Sequence, residues 1–264
     1  MCIRDRKQIL LYKALGFKIP QFAHIPLILS KDGGRLSKRH GATSIFEYKN
    51  MGFLPSALVN YLTLVGWSPG KDREIMPLAE IIKLFDVKDV NKTGAIFDID
   101  KLTWMNGQYM AAMKSEELLP LVKKQAEVSG KSLDAPDDMI LKVIELYKVR
   151  MKTLPDFTAM TDHFFCDEYS VDEKGVEKHL TPPESRKILG EFVPRLEKLN
   201  DFKHTSIEEM CRSMAAELGL KVGAIIHPTR VAISGKTTGA GLFEMMEVLG
   251  RSKVIERMKK AVSR

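Results

Sequence analysis

The sequence predicts a mainly α chain that carries a short α/β unit at its front. Two observations carry this expectation. From Ser44 onward, apolar residues recur three or four positions apart in one segment after another, the spacing of a helix with one buried face. Before Ser44, a helical segment, a compact apolar run and a Gly-rich loop follow one another, the order of the closing unit of an α/β sheet. With 264 residues and 44% hydrophobic content, the chain has enough apolar surface for one to three compact units.

Taken in order, Lys7–Leu15 has apolar residues at helical spacing and stops at Gly16, a residue suited to a left-handed C-cap. It reads as a short amphipathic helix. His24–Leu29 is a compact apolar run entering Ser30-Lys-Asp-Gly-Gly34, as a buried strand enters a loop. Pro55 opens a helix that Gly66 closes. Further helices are expected over Pro77–Phe85, Asp98–Tyr109, Glu116–Val128, Asp137–Lys152, Pro183–Leu199 and Ser206–Leu218. Thr205-Ser-Ile-Glu208 fits a capping box for the last of these. The final stretch, His227–Arg264, has a Gly-rich turn at Gly235 and Thr238–Gly241, then two helices ending in basic residues. Boundaries are expected near 45, 113 and 170, which divides the chain into 1–45, 46–113, 114–170 and 171–264.

Charge is unevenly spread. Residues 1–50 hold ten Lys and Arg against three Asp and Glu, and residues 221–264 hold nine against three, while the stretch between is acidic. A polyanion touching both ends would gain charge contacts and release counterions; ordinary solvated faces account for the same counts. Cys2, Cys166 and Cys211 lack the paired spacing of a zinc knuckle or redox motif, which fits a reducing cytoplasm without a structural metal. No apolar run reaches membrane-spanning length and Met1–Arg6 is not followed by a secretory apolar core, so neither a span nor an export signal is expected.

The segment richest in chemistry is Asp32-Gly-Gly-Arg-Leu-Ser-Lys-Arg-His-Gly-Ala42. Two glycines loosen the backbone, and Arg35, Ser37, Lys38 and Arg39 place three cations and a hydroxyl on one loop after an apolar strand. Such a loop suits a polyphosphate, because Lys and Arg make charge-assisted hydrogen bonds to phosphate oxygens. On composition alone, a solvated basic turn is the competing reading.

Arg35-Leu-Ser-Lys-Arg39 resembles the Lys-Met-Ser-Lys-Ser signature loop of class I aminoacyl-tRNA synthetases. The resemblance narrows to bacterial and organellar glutamyl-tRNA synthetases. Phe22-Ala-His-Ile-Pro-Leu-Ile-Leu29 precedes the loop, and Leu54-Pro-Ser-Ala-Leu-Val-Asn-Tyr-Leu-Thr-Leu-Val-Gly-Trp-Ser68 follows it. Further along come Phe97-Asp98, Lys101-Leu-Thr-Trp-Met-Asn-Gly-Gln-Tyr109, His227-Pro-Thr-Arg-Val-Ala-Ile233 and Gly241-Leu-Phe-Glu244. Together they run from about Lys7 to the end.

The resemblance implies the C-terminal remnant of a Rossmann-like catalytic domain, then a helical stem-contact domain, then a helical-cage anticodon-binding region in two parts. It implies a glutamate–tRNA ligase that makes glutamyl-adenylate from glutamate and ATP with Mg2+, then transfers glutamate to tRNA(Glu), as a cytoplasmic monomer. In that scheme Lys38 is the catalytic cation, and Arg35, Leu36, Ser37, Lys38 and Arg39 form the ATP loop. Arg35 stands where the family usually has Lys, exchanging a compact ammonium for a planar guanidinium. Arg150, by its place in the resemblance, could face the anticodon; an ordinary exposed arginine is the other reading. The family's His-x-Gly-His signature does not occur among the six histidines, and Met1–Arg6 departs from the family pattern. The chain is therefore expected to be inactive alone. The alternative is a stand-alone tRNA-binding module without catalysis. A related glutaminyl enzyme is disfavoured, because the C-terminal half resembles the helical bacterial type.

Some features invite other readings. Gly235-Lys-Thr237 hints at a phosphate loop, but Arg230 stands where that motif needs glycine. His24 and His40 lack partners at metal or triad spacing and read as structural. Trp67 and Trp104 lie in apolar helical contexts and read as core rather than base-stacking residues. The basic tail Arg251–Lys260 is a phosphate contact or a solvated helix face.

Overall fold

The computed structural model describes residues 3–36, 44–70 and 72–263. Among them lie fourteen α-helices, one 3-10 turn and two two-residue strands, so the chain is mainly α, as expected. No helix among the described residues is long and apolar enough to cross a membrane. Two compact units result, Met1–Thr43 with Val59–Ile99, and Ser44–Leu58 with Asp100–Arg264.

In the first unit, helix α1, Ile3–Ala14, ends where Gly16 turns left-handed at φ 69°. It starts four residues before the expected helix, and its Leu10 and Leu11, like Leu15 just after it, are all more than 60% exposed. Its buried residue is Asp5, whose carboxylate lies 2.8 Å from His24 Nε2.

Strand β1, Ile28–Leu29, is shorter than the expected His24–Leu29. It pairs in parallel with β2, Ala95–Ile96, with Ile28 opposite Ala95 and Leu29 opposite Ile96. Gly94 permits this approach: a Cβ there would lie 3.0 Å from the Leu27 carbonyl oxygen and from Leu29 Cδ1. A small core of Trp67, Met76 and Ile81 sits under a helix over Leu78–Leu84. The Trp67 ring lies 5.4 Å from that of Phe85, so Trp67 is core as expected.

The second unit opens with helix α2, Ile45–Asn50, closed by a capping box between Ser44 and Glu47. Helix α3, Pro55–Leu64, begins in this unit. The expected helical array follows. Numbering the Leu78–Leu84 helix α4, it comprises α5 (Ile99–Ala112), α6 (Ser115–Val128), α7 (Asp137–Tyr147), α8 (Leu154–Phe165), α9 (Glu173–His179), α10 (Pro183–Glu197), α11 (His204–Glu217), α12 (Gly223–Ser234), α13 (Leu242–Leu249) and α14 (Arg251–Val262). One continuous core joins Leu118, Ile140, Tyr147 and Phe157 to Leu189, Phe192, Ile207 and Met246.

Three expectations need correction. The helix expected over Asp137–Lys152 ends at Tyr147, and α8 starts at Leu154. Thr205 lies inside α11, whose first residue His204 gives its N–H to Glu247 Oε2 at 2.7 Å. The cap therefore comes from α13 rather than from a local hydroxyl. Trp104 is 40% exposed: the buried residues of α5 are Leu102, Met105, Asn106, Gly107 and Met110, and Trp104 falls off that face.

Candidate functional site

The cationic loop is launched from a tight hairpin in the first unit. After β1 the chain turns at Gly33, φ 79°, with Gly33 N–H donating to the Ser30 carbonyl and Ser30 N–H donating to the Gly34 carbonyl at 2.8 Å. The Ser30 hydroxyl donates to Asp32 Oδ1, and Gly34 N–H donates to the same oxygen at 3.2 Å. Arg35 then bridges back to Leu29 in antiparallel fashion, and Leu36 N–H reaches the Ile28 carbonyl at 3.2 Å. Arg35 is exposed and Leu36 half-buried. Ser37, Lys38 and Arg39 of the expected ATP loop, and His40, lie outside the described residues.

Behind the hairpin, Phe97 N–H donates to the Leu29 carbonyl at 2.8 Å. The next N–H, of Asp98, donates to the Tyr61 hydroxyl at 2.5 Å, and the Tyr61 and Phe97 rings meet edge to face at 5.1 Å. Lys31 Nζ stands 3.4 Å from Asp98 Oδ1. The Phe97-Asp98 pair singled out in the sequence thus anchors the strand from which the loop departs.

In the second unit, Arg150 sits on the α7–α8 turn and is exposed, its guanidinium 3.4 Å from the Leu146 carbonyl. It borders a pocket of about 290 Å³ whose wall includes Tyr147, Met160, Lys236, Thr238 and Gly239. Burial depresses the Arg230 guanidinium below its ordinary value; Arg230 donates to the Ala240 carbonyl at 2.8 Å. A Cβ on Gly239, φ 157°, would lie 3.3 Å from the Tyr147 hydroxyl and 3.4 Å from Arg230.

Gly235-Lys-Thr237 is not a phosphate cradle. Lys236 Nζ is 2.6 Å from both Asp162 Oδ1 and the Ala159 carbonyl, and the Thr237 hydroxyl donates to Asp172. Burial alone would raise the Asp162 carboxyl, but hydrogen bonds involving His163, Lys236 and Ser170 outweigh it and hold that carboxyl far below its ordinary range. The cations of the basic tail are partly structural too: Arg257 donates to the Ile233 carbonyl at 2.7 Å and lies over the Tyr169 ring, and Lys259 pairs with Glu197.

The structure brings together residues that sequence reading left apart. His179 of α9 and His227 of α12 stack with ring centroids 5.2 Å apart; burial, then the His227 charge, lowers the His179 pKa. His163 is fully buried among Tyr147, Phe164 and Tyr169, and burial depresses it strongly enough to outweigh Asp162. Residues that far apart along the chain carry no local signal of such proximity. Among the described residues, no group of three or more His, Cys, Asp or Glu could hold a metal ion.

Comparison with known proteins matches residues 114–262 to the family described as the anticodon binding domain, and residues 2–104 to the catalytic domain of class I tRNA synthetases (E and Q). The second match takes in residues 2–6 of the Met1–Arg6 stretch, read above as departing from the family pattern. The chain is 43% identical over 256 residues to glutamate–tRNA ligase 1 of Syntrophomonas wolfei, covering 97% of this chain and 52% of that protein. It is 42% identical over 259 residues to the glutamate–tRNA ligase of Moorella thermoacetica, covering 97% and 53%. A crystal structure of a glutamate tRNA ligase from Elizabethkingia meningosepticum, in complex with its amino acid, is similar with a TM-score of 0.84 and 33% identity, over 97% of this chain and 54% of that one. The chain thus spans about half the length of the curated relatives it matches.

Proposed function

The chain belongs to the anticodon binding domain family, and on that premise we propose that it works as the C-terminal half of a glutamate–tRNA ligase. It presents the cationic loop to the ATP phosphates and grips tRNA(Glu) with its helical region. The observation that carries this reading is the hairpin over residues 28–36, bridged at Leu29–Arg35 and anchored through Phe97 and Asp98. A loop with three cations placed beside triphosphate stabilises charge only if its base is held in place, because preorganisation makes such stabilisation large.

Within this reading, Lys38 neutralises negative charge on the ATP phosphates as glutamyl-adenylate and pyrophosphate form. Ser37 orients the loop, Arg35 and Leu36 form its pinned stem, and Arg39 supports it or faces tRNA. The donor set of two guanidiniums, an ammonium and a hydroxyl suits a polyanion. Mg2+ accompanies the triphosphate, and no described residue of this chain is assigned to it. Arg150 meets the RNA from the α7–α8 turn, where an exposed planar guanidinium can stack on a base or bind its edge. The place of action is the cytoplasm and the working form a monomer.

The chain does not complete the reaction alone. Ile3, Leu10, Leu11, Leu15, Phe17, Ile25 and Leu27 of the first unit are each at least 59% exposed, an apolar density that marks a surface meant to be covered. We assign that cover to the remainder of a catalytic domain. Two assays on the purified chain test this: tRNA(Glu) binding that weakens steeply with salt, and glutamate-dependent ATP–pyrophosphate exchange. Binding without exchange is the expected result. Exchange by the isolated chain would overturn the division of labour, and absence of salt-sensitive tRNA binding would overturn the RNA reading.

A further inference from the structure

The Lys101-Leu-Thr-Trp-Met-Asn-Gly-Gln-Tyr109 segment, noted above only as a point of likeness, holds a buried polar group that the proposed function does not use. Asn106 on α5 is fully buried. Its Oδ1 accepts the Leu54 N–H at 2.7 Å, immediately before α3. Its Nδ2 donates to the Lys152 carbonyl at 2.6 Å. One amide therefore ties together three stretches of the second unit that are 52 and 46 residues apart in sequence.

The neighbouring contacts tighten the same junction. Lys152 N–H and Thr153 N–H both donate to Asp156 Oδ2, and Leu154 N–H donates to the Gly52 carbonyl at 3.2 Å. Met151 is fully buried. Gly107 lies so close that a Cβ on it would be 2.8 Å from Lys152 Cδ and 3.2 Å from the Met151 carbonyl oxygen. On the other side, Arg150 N–H donates to the Tyr147 carbonyl at 2.8 Å. Arg150 is thus held between the end of α7 and a clasp two residues further on.

We infer that Asn106 is a positioning residue for RNA recognition: it sets where the α7–α8 turn presents Arg150. Only a side chain with both an acceptor and a donor on one rigid end can bind Leu54 N–H and the Lys152 carbonyl together. Aspartate keeps the first bond but turns the second into two oxygens facing each other. This inference rests on the proposed contact between Arg150 and tRNA.

The test is a double-mutant cycle on the intact 264-residue chain with an unmodified tRNA(Glu) transcript as the probe. Arg150→Ala is expected to weaken binding about tenfold and Asn106→Asp about fivefold. In the double variant the effects do not multiply, and its affinity stays within about twofold of Arg150→Ala alone. A purely structural asparagine would lower the melting temperature and weaken binding by the same factor in both backgrounds, which would overturn the inference while leaving the Arg150 contact standing. Should Arg150→Ala leave affinity unchanged, the contact itself fails and the inference with it. If Asn106→Asp does not fold, Gly107→Ala takes its place: it leaves the Asn106 amide intact and crowds Met151 and Lys152. It is expected to weaken binding about threefold and to have no effect once Arg150 is gone; any equal loss in both backgrounds again overturns the inference.

Discussion

The Asp98 N–H donates to the Tyr61 hydroxyl at 2.5 Å, and this bond fixes the strand beside the one from which the cationic loop departs. Asp98 follows Phe97, whose N–H is bonded to Leu29, so a hydroxyl on α3 holds the edge of the hairpin. Tyr61→Phe keeps the ring against Phe97 and removes the acceptor. It is expected to lower stability by about 1 kcal/mol, read as a shift in the urea midpoint, with tRNA affinity unchanged. An unaltered midpoint would show that the bond does not hold the strand.

Lys236 is predicted to be structural. Lys236→Ala leaves Asp162 without its close cation and is expected to cost about 1–3 kcal/mol in denaturant unfolding. Nucleotide titration should give the same weak response before and after. A selective loss of nucleotide binding at unchanged stability would reinstate the phosphate-loop reading.

Stability should fall below neutral pH. A histidine whose folded pKa is lowered binds its proton more readily when unfolded, so its contribution is complete above the ordinary value of 6.5 and is lost as pH drops through and below it. His163 has this sign from burial, and His179 shares it. Asp162, lowered in the folded state, adds a loss only below about pH 4. Urea midpoints at pH 7.5 and 5.5 should therefore differ, and His163→Phe should reduce the difference. An identical pH dependence in that variant would contradict the assignment to His163.

Gly52 adopts φ 83°, and a Cβ on it would lie 2.8 Å from Leu154 N and against Pro155. Gly52→Ala meets both left-handed strain and a backbone clash, and is expected to cost about 2 kcal/mol or more. Circular dichroism melting checks this; a melting temperature equal to the parent's would show that the turn can yield.

Periodicity revealed α3, α6, α7 and α10, because each buries one face of an otherwise soluble helix. It did not reveal α12, which carries the buried Pro228 inside it, nor α8 and α9. Where a long-range contact decides, local patterns misled: Glu247 caps α11 from 43 residues away, and Asn106 and Gly52 hold the turn after α7 where the pattern suggested more helix. The cationic loop stands out in the sequence because charge, glycine and hydroxyl cluster within a few residues. The stacked His179 and His227 and the Asn106 clasp were not, since each joins segments that only folding brings together.

The most direct test concerns Lys38. With the N-terminal half of the Syntrophomonas wolfei relative fused ahead of this chain, glutamate-dependent ATP–pyrophosphate exchange is measured for the parent fusion and for Lys38→Ala. A drop of about 100-fold or more is predicted, the scale of removing one preorganised charge-stabilising group. Exchange at the parent rate would contradict the proposal that this loop neutralises the triphosphate.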